Sequence, residues 1–144
     1  MRFELDLDIR GFERQLKQIE RNALNTVETA MNDVLDELIR IASEITPFDK
    51  GILQRSYSKS LSKSSGGFKG EVTFSVREGN FNYALWIHEG VYNLGSGSAK
   101  RPGTTGWSGK RYTVGRKYLE RPLKGEEEAF NRHIANEIKK AVGD

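Results

Sequence analysis

The 144-residue sequence contains no cysteine, which excludes disulfides, thiolate zinc sites and a cysteine nucleophile. That absence fits a reducing compartment. No stretch approaches the ~18 consecutive apolar residues that a membrane-spanning helix needs. The first residues, Met1-Arg2-Phe3-Glu4-Leu5-Asp6, carry acids where a signal peptide needs an apolar run, so export by that route is not expected. Histidine is scarce, with only His88 and His133. Hydrophobic residues make up 36% of the chain and charged residues 30%. That is a thin apolar fraction, since about 45–50% is usual when glycine is counted. The 15 glycines bring it near that range, and a partner chain is expected to complete part of the core.

The formal net charge is only +3, but it is unevenly spread. Residues 1–49 hold 6 basic and 11 acidic side chains, residues 50–118 hold 12 and 3, and residues 119–144 hold 5 and 6. Such an acidic–basic–acidic arrangement is a hint about partners.

A single domain, 1–144, suits this length. Residues 3–9 alternate apolar and acidic side chains, the period of a strand with one buried face. This strand either joins the sheet of its own chain or pairs with another subunit. From Phe12 the period lengthens: Phe12, Leu16, Ile19, Ala23, Val27, Ala30, Val34, Leu38 and Ala42 predict one amphipathic helix over 12–45. Pro47 ends it. Residues 57–63 and 68–77 read as a hairpin, and 81–87 as a third apolar strand ending at His88-Glu89-Gly90. Ala129, Phe130, Ile134, Ile138 and Val142 mark a closing helix. The expected fold is α+β. One antiparallel sheet of about four strands is packed by the long N-terminal helix and the C-terminal helix. Residues 91–117 read as a long Gly-rich basic loop. Six glycines lie there among Lys100, Arg101, Lys110, Arg111, Arg116 and Lys117, with no acid between them.

Candidate sites are few. A zinc-protease helix needs a second histidine four residues after His88, where Tyr92 stands. His88 and Glu89 are better read as local hydrogen-bonding groups. Asp49 suits a turn cap more than half of a carboxylate pair with Glu44. No Gly-x-Ser-x-Gly elbow or phosphate-loop pattern is present. No catalytic, metal or cofactor-binding residues are assigned. The basic loop, with Trp107 and Tyr112, suits phosphate pairing and base stacking. It equally suits docking on an acidic protein surface with the aromatics as anchors, the reading favoured here. The partner-binding candidates are Lys100, Arg101, Trp107, Lys110, Arg111, Tyr112, Arg116 and Lys117.

Three separated pieces carry a resemblance. The first is Thr46-Pro47-Phe48-Asp49-Lys50-Gly51-Ile52-Leu53 followed by Ser56, after a long helix. The second is Tyr83-Ala84, then Trp86-Ile87-His88-Glu89-Gly90. The third is Gly115-Arg116-Lys117-Tyr118-Leu119-Glu120-Arg121-Pro122-Leu123 before the last helix. In this order they resemble the tail-component proteins of long-tailed bacteriophages and prophages, a broad family of neck, head–tail joining, tail completion and minor capsid proteins. Lys50 departs from the family's usual threonine, and the basic segment 91–114 is longer than in many relatives. The resemblance implies a structural virion protein and no enzyme. It implies a homo-oligomeric ring, of six copies, in the neck between head connector and tail, assembled in the host cytoplasm. Its partners would be copies of itself and the adjacent neck, connector and tail proteins. DNA would pass through the channel without sequence-specific recognition, and no membrane is involved. Pro47, Asp49, Gly51, Leu53, His88, Glu89, Gly90, Tyr118, Leu119 and Pro122 would be structural motif residues. An acidic helix face meeting a neighbour's basic loop would steer assembly. The alternative is a nucleic-acid-binding module using 91–117.

Overall fold

A computed structural model describes residues 2–8, 21–47, 51–64 and 67–141, with side chains at 24–47, 51–63 and 68–141. The chain is α+β. Strand β1 (Arg2–Asp8) precedes helix α1 (Arg21–Ile45), and strands β2 (Tyr57–Ser64) and β3 (Gly67–Phe74) follow. Next come two-residue strands β4 (Arg77–Glu78) and β5 (Phe81–Asn82), then helices α2 (Tyr83–Glu89) and α3 (Ser96–Ala99). A second small ribbon, β6 (Thr104–Thr105) and β7 (Arg111–Tyr112), leads into helices α4 (Glu120–Gly125) and α5 (Glu127–Ala141).

The expected four-stranded sheet is instead three-stranded, ordered β1-β3-β2 and antiparallel at both pairings. β1 therefore pairs within its own chain, with Phe3 in register opposite Val72 and Leu7 opposite Phe68. The third strand expected over 81–87 is a helix from Tyr83 onward. Asn82 is its N-cap, with Oδ1 accepting from the N–H groups of Ala84 (3.1 Å) and Leu85 (3.4 Å). Ala84, Ile87 and His88 are its buried residues, a three-and-four spacing that belongs to a helix. His88, Glu89 and Gly90 accordingly end a helix rather than a strand. The part of the long helix expected over 12–20 lies outside the described residues, as do Asp49 and Val142.

α1 is built as its periodicity requires. Val27, Met31, Val34, Leu35, Ile41, Ala42 and Ile45 are fully buried, and they lie against Phe68, Val72 and Phe74 of the sheet within one core. The helix crosses β3 closely at Gly70, where any Cβ would run into the Leu35 side chain. α5 packs along α1 through Phe130, Ile134 and Ile138, members of the same core. Pro47 is buried just past the last turn, and the Thr46 hydroxyl turns back to the Ser43 carbonyl (3.0 Å). Gly51, at φ 73°, makes the turn that returns buried Leu53 to the core.

Segment 91–117 is not the extended loop that its composition suggests. It folds into α3 and the β6–β7 ribbon, which sits against α1. Arg40 is the clasp. Its guanidinium grips the buried Glu37 carboxylate at 2.6 and 2.9 Å, and also donates to Thr104 Oγ1 (2.9 Å) and the Thr105 carbonyl (2.8 Å). Replacing Arg40 with alanine is expected to cost about 1–2 kcal/mol, reduced from a fully buried pair because Arg40 is partly solvated. Amide hydrogen exchange checks this, with faster exchange confined to residues 104–112.

Candidate interaction site

The second and third resembling pieces, far apart in the sequence, meet at one corner of the molecule, and the end of α1 just ahead of the first piece joins them. The Gly115 N–H donates to the Ile45 carbonyl (3.0 Å), and the Lys117 N–H donates to the His88 carbonyl (2.8 Å). The Tyr118 hydroxyl donates to the Ala84 carbonyl (2.8 Å). Tyr118 is fully buried, edge-on to Phe74 and to His88 at centroid distances of 5.4 and 5.0 Å. Leu119 is buried beside it. Pro122 lies in the first turn of α4, where a missing N–H costs nothing.

His88 is 1% exposed. Its Nε2 accepts from the Glu120 backbone N–H (3.2 Å), which leaves the Nδ1 proton facing the Glu89 carboxylate (3.3 Å). Burial holds its pKa below the ordinary 6.5, against the opposing pull of Glu89. The fold therefore favours the neutral ring. Its contribution is complete above about pH 6.5 and is lost as pH falls through the lower folded value. Urea unfolding at stepped pH should show stability dropping below that point, and H88Q should lack that part of the drop. Glu89 itself is held below the usual carboxylate range chiefly by Lys117, with which it pairs.

The partner-binding candidates are largely engaged inside the chain, and a common pattern explains their positions. A helix C-terminus leaves carbonyls unpaired and carries partial negative charge. Arg101 donates to the carbonyls of Glu44 (2.7 Å) and Thr46 at the end of α1. Arg116 donates to those of Glu89 and Gly90, both at 2.9 Å, at the end of α2. Lys110 reaches the Gly125 carbonyl (3.1 Å) at the end of α4. Arg111 donates to the Pro102 carbonyl, and Lys117 pairs with Glu89. Much of the positive charge that stood out in the sequence thus closes helix ends in the same chain. Lys100 stands exposed at the end of α3.

The aromatics are also spoken for. Tyr112 is buried, and its hydroxyl donates to Glu126 (2.7 Å). Trp107 is half-exposed, but its ring rests edge-on against Phe130 and tilted against His133 at 5.8 and 4.8 Å. Glu126, fully buried, was not singled out by the sequence because it sits in a polar run. Besides Tyr112 it accepts from the Ser108 N–H (2.9 Å) and the Ser108 hydroxyl. Burial alone would raise its pKa, yet these donors together hold it below the ordinary value.

A further surface went unnoticed in the sequence. Phe81, Leu85 and Trp86 are 49%, 43% and 51% exposed and line a groove of about 590 Å³ with Arg77, Asn82 and Glu89. On its other flank Phe81 joins Ile52 and Tyr83 along a second groove of about 660 Å³ that runs to Ser96 and Ser98. The Trp86 indole stacks in-chain with the rings of Tyr83 and Tyr92. This is rigid, apolar and aromatic surface, the composition of a protein-contact centre. Its signal in the sequence is the aromatic-rich run 81–86, which reads as part of an apolar strand.

Among the described residues no three His, Asp or Glu side chains gather in a metal-binding group, and no helix is long and apolar enough to cross a membrane. No protein-family model, curated protein or solved structure matches the chain.

Proposed function

We propose that the chain is a structural subunit of a phage neck, forming a ring of six copies that joins the head connector to the tail. The observation that carries this reading is the convergence of the second and third resembling pieces, joined by the end of α1 that leads into the first, on one hydrogen-bonded corner around Tyr118 and His88. Residues shared with that family in order and spacing act together as a frame, as motif residues of a structural protein would. The exposed patch of Phe81, Leu85 and Trp86 is the surface offered to an adjacent connector or tail protein.

The nucleic-acid reading loses ground. A polyanion site needs free cations and open ring faces. Arg101, Arg116 and Lys110 instead close helix ends, and Tyr112 is buried. The discriminating experiment is mass photometry of the purified chain over concentration and salt, run beside a DNA-binding titration. The neck reading expects discrete closed multimers and weak, nonspecific DNA binding. Tight, strongly salt-dependent DNA binding by a monomer, abolished by changing Lys100, Arg101, Lys110 and Arg111 to alanine in a variant that still folds, would overturn it.

A further inference from the structure

We propose that copies of this chain join head to tail through the two edges of the three-stranded sheet, β2 of one copy adding to β1 of the next. This rests on the ring reading and supplies its contact. Among the described residues the sheet ends at β1 on one side and β2 on the other, strands of seven and eight residues without proline. An edge strand presents a row of unpaired backbone N–H and C=O groups, a template for another strand. Tyr57 through Ser60, Ser62 and Lys63 of β2 are exposed, while Leu61 packs against the core.

Lysines often guard such edges against association. Lys59 does not stand guard, because its ammonium is drawn over to α1. There it donates to Asn32 Oδ1 (2.9 Å) and pairs with Asp36.

Charge decides which edges can meet. β1 carries Arg2 against Glu4, Asp6 and Asp8, while the charged residues of β2 are Lys59 and Lys63. A two-fold contact through like edges would bring acids to acids or lysines to lysines, and like charges across a strand pair destabilise it. Unlike edges avoid both repulsions. A contact between two different surfaces of one chain does not stop at a dimer; it closes as a ring or runs on as a filament.

Direction and register are compatible. β1 and β2 are both antiparallel to β3, so they run the same way, and a neighbour related by rotation about the strand direction would add as a parallel strand. Ser60 and Glu4 share the register row of Glu71, and Ser62 and Asp6 share that of Lys69. The serine positions of one edge therefore share register rows with the acidic positions of the other.

The absence of native cysteine makes the test clean. Asp6→Cys is combined in turn with Ser58→Cys, Ser60→Cys and Ser62→Cys, and circular dichroism checks that each variant folds. Within one chain β3 separates the two positions by two strand spacings, about 9–10 Å. That exceeds the ~7 Å reach of a disulfide. Mild oxidation is expected to give a ladder of covalent multimers in at least one pair, cleared by reductant, while single-cysteine variants stop at or below dimer. Closed rings by native mass spectrometry with no ladder in any pair would overturn the edge contact and leave the ring reading standing. A ladder with only open-ended chains would support the edge contact and overturn the ring. Ser60→Cys alone linking as completely as the pair would show a two-fold contact and overturn the proposal. Neither rings nor ladder would overturn both.

Discussion

Replacing Tyr118 with alanine is expected to remove about 3–5 kcal/mol of folding stability, the range for deleting a large buried aromatic side chain. Total stability of a domain is about 5–15 kcal/mol, so this change alone would leave a large unfolded fraction at moderate urea. The reason is position. Tyr118 is fully buried where Phe74 of the sheet, His88 of α2 and the entry to α4 meet. Its loss opens a cavity and also strips the Ala84 carbonyl of its donor. Y118F keeps the ring and removes only that hydrogen bond, so it should cost about 1 kcal/mol. Urea denaturation of the two variants separates packing from hydrogen bonding. A Y118A variant within about 1 kcal/mol of the parent would show that the corner is not the frame described here.

Glu126→Ala should cost about 1–3 kcal/mol, chiefly because a buried donor left without an acceptor costs about that much. That donor is the Tyr112 hydroxyl; the Ser108 N–H and hydroxyl also lose their acceptor, but Ser108 is exposed and water can take its place. The site is also sterically filled. A Cβ on Gly106 would collide with the Glu126 carboxylate, and one on Gly125 with the Tyr112 phenol oxygen. Tyr112→Phe in the E126A background should then cost much less than in the parent, because the hydroxyl it removes has already lost its acceptor. The pH dependence has a definite sign. The carboxylate's folded pKa lies below the ordinary 4.5, so its contribution is complete above that value and is lost as pH falls through the lower folded value. His88 begins to lose its contribution below about 6.5, so acid should weaken the fold in two separable stages, with E126A flattening only the lower one.

These two positions also show what the sequence could and could not convey. Tyr118 is one of the structural motif residues that the resemblance implies, and the buried faces of α1, β3 and α5 follow directly from periods of 3.6 and 2. Those elements are long enough for the pattern to repeat. α2 has only seven residues, and its aromatic-rich surface imitated a buried strand; Asn82 as its cap and the 84, 87, 88 spacing were the available signals. Glu126 looked like one more solvated acid of a helix. Its partners, Ser108 and Tyr112, lie 18 and 14 residues away, and nothing local announces them. The basic segment misled for the same reason. Arg101 and Arg40 find their acceptors 55 to 65 residues distant. Composition reported an excess of cations but not that helix ends would take them up. Opposite charges of the acidic and basic segments meet inside one chain, as in Lys59 with Asp36.

The most direct test of the neck assignment is immunogold labelling of purified tailed particles from cells that encode this chain, with its copy number measured by quantitative mass spectrometry. The account predicts gold at the head–tail junction and the content of a single closed ring, about six copies per particle. Absence from the particles, or label spread along the tail at tens of copies or more, would contradict it.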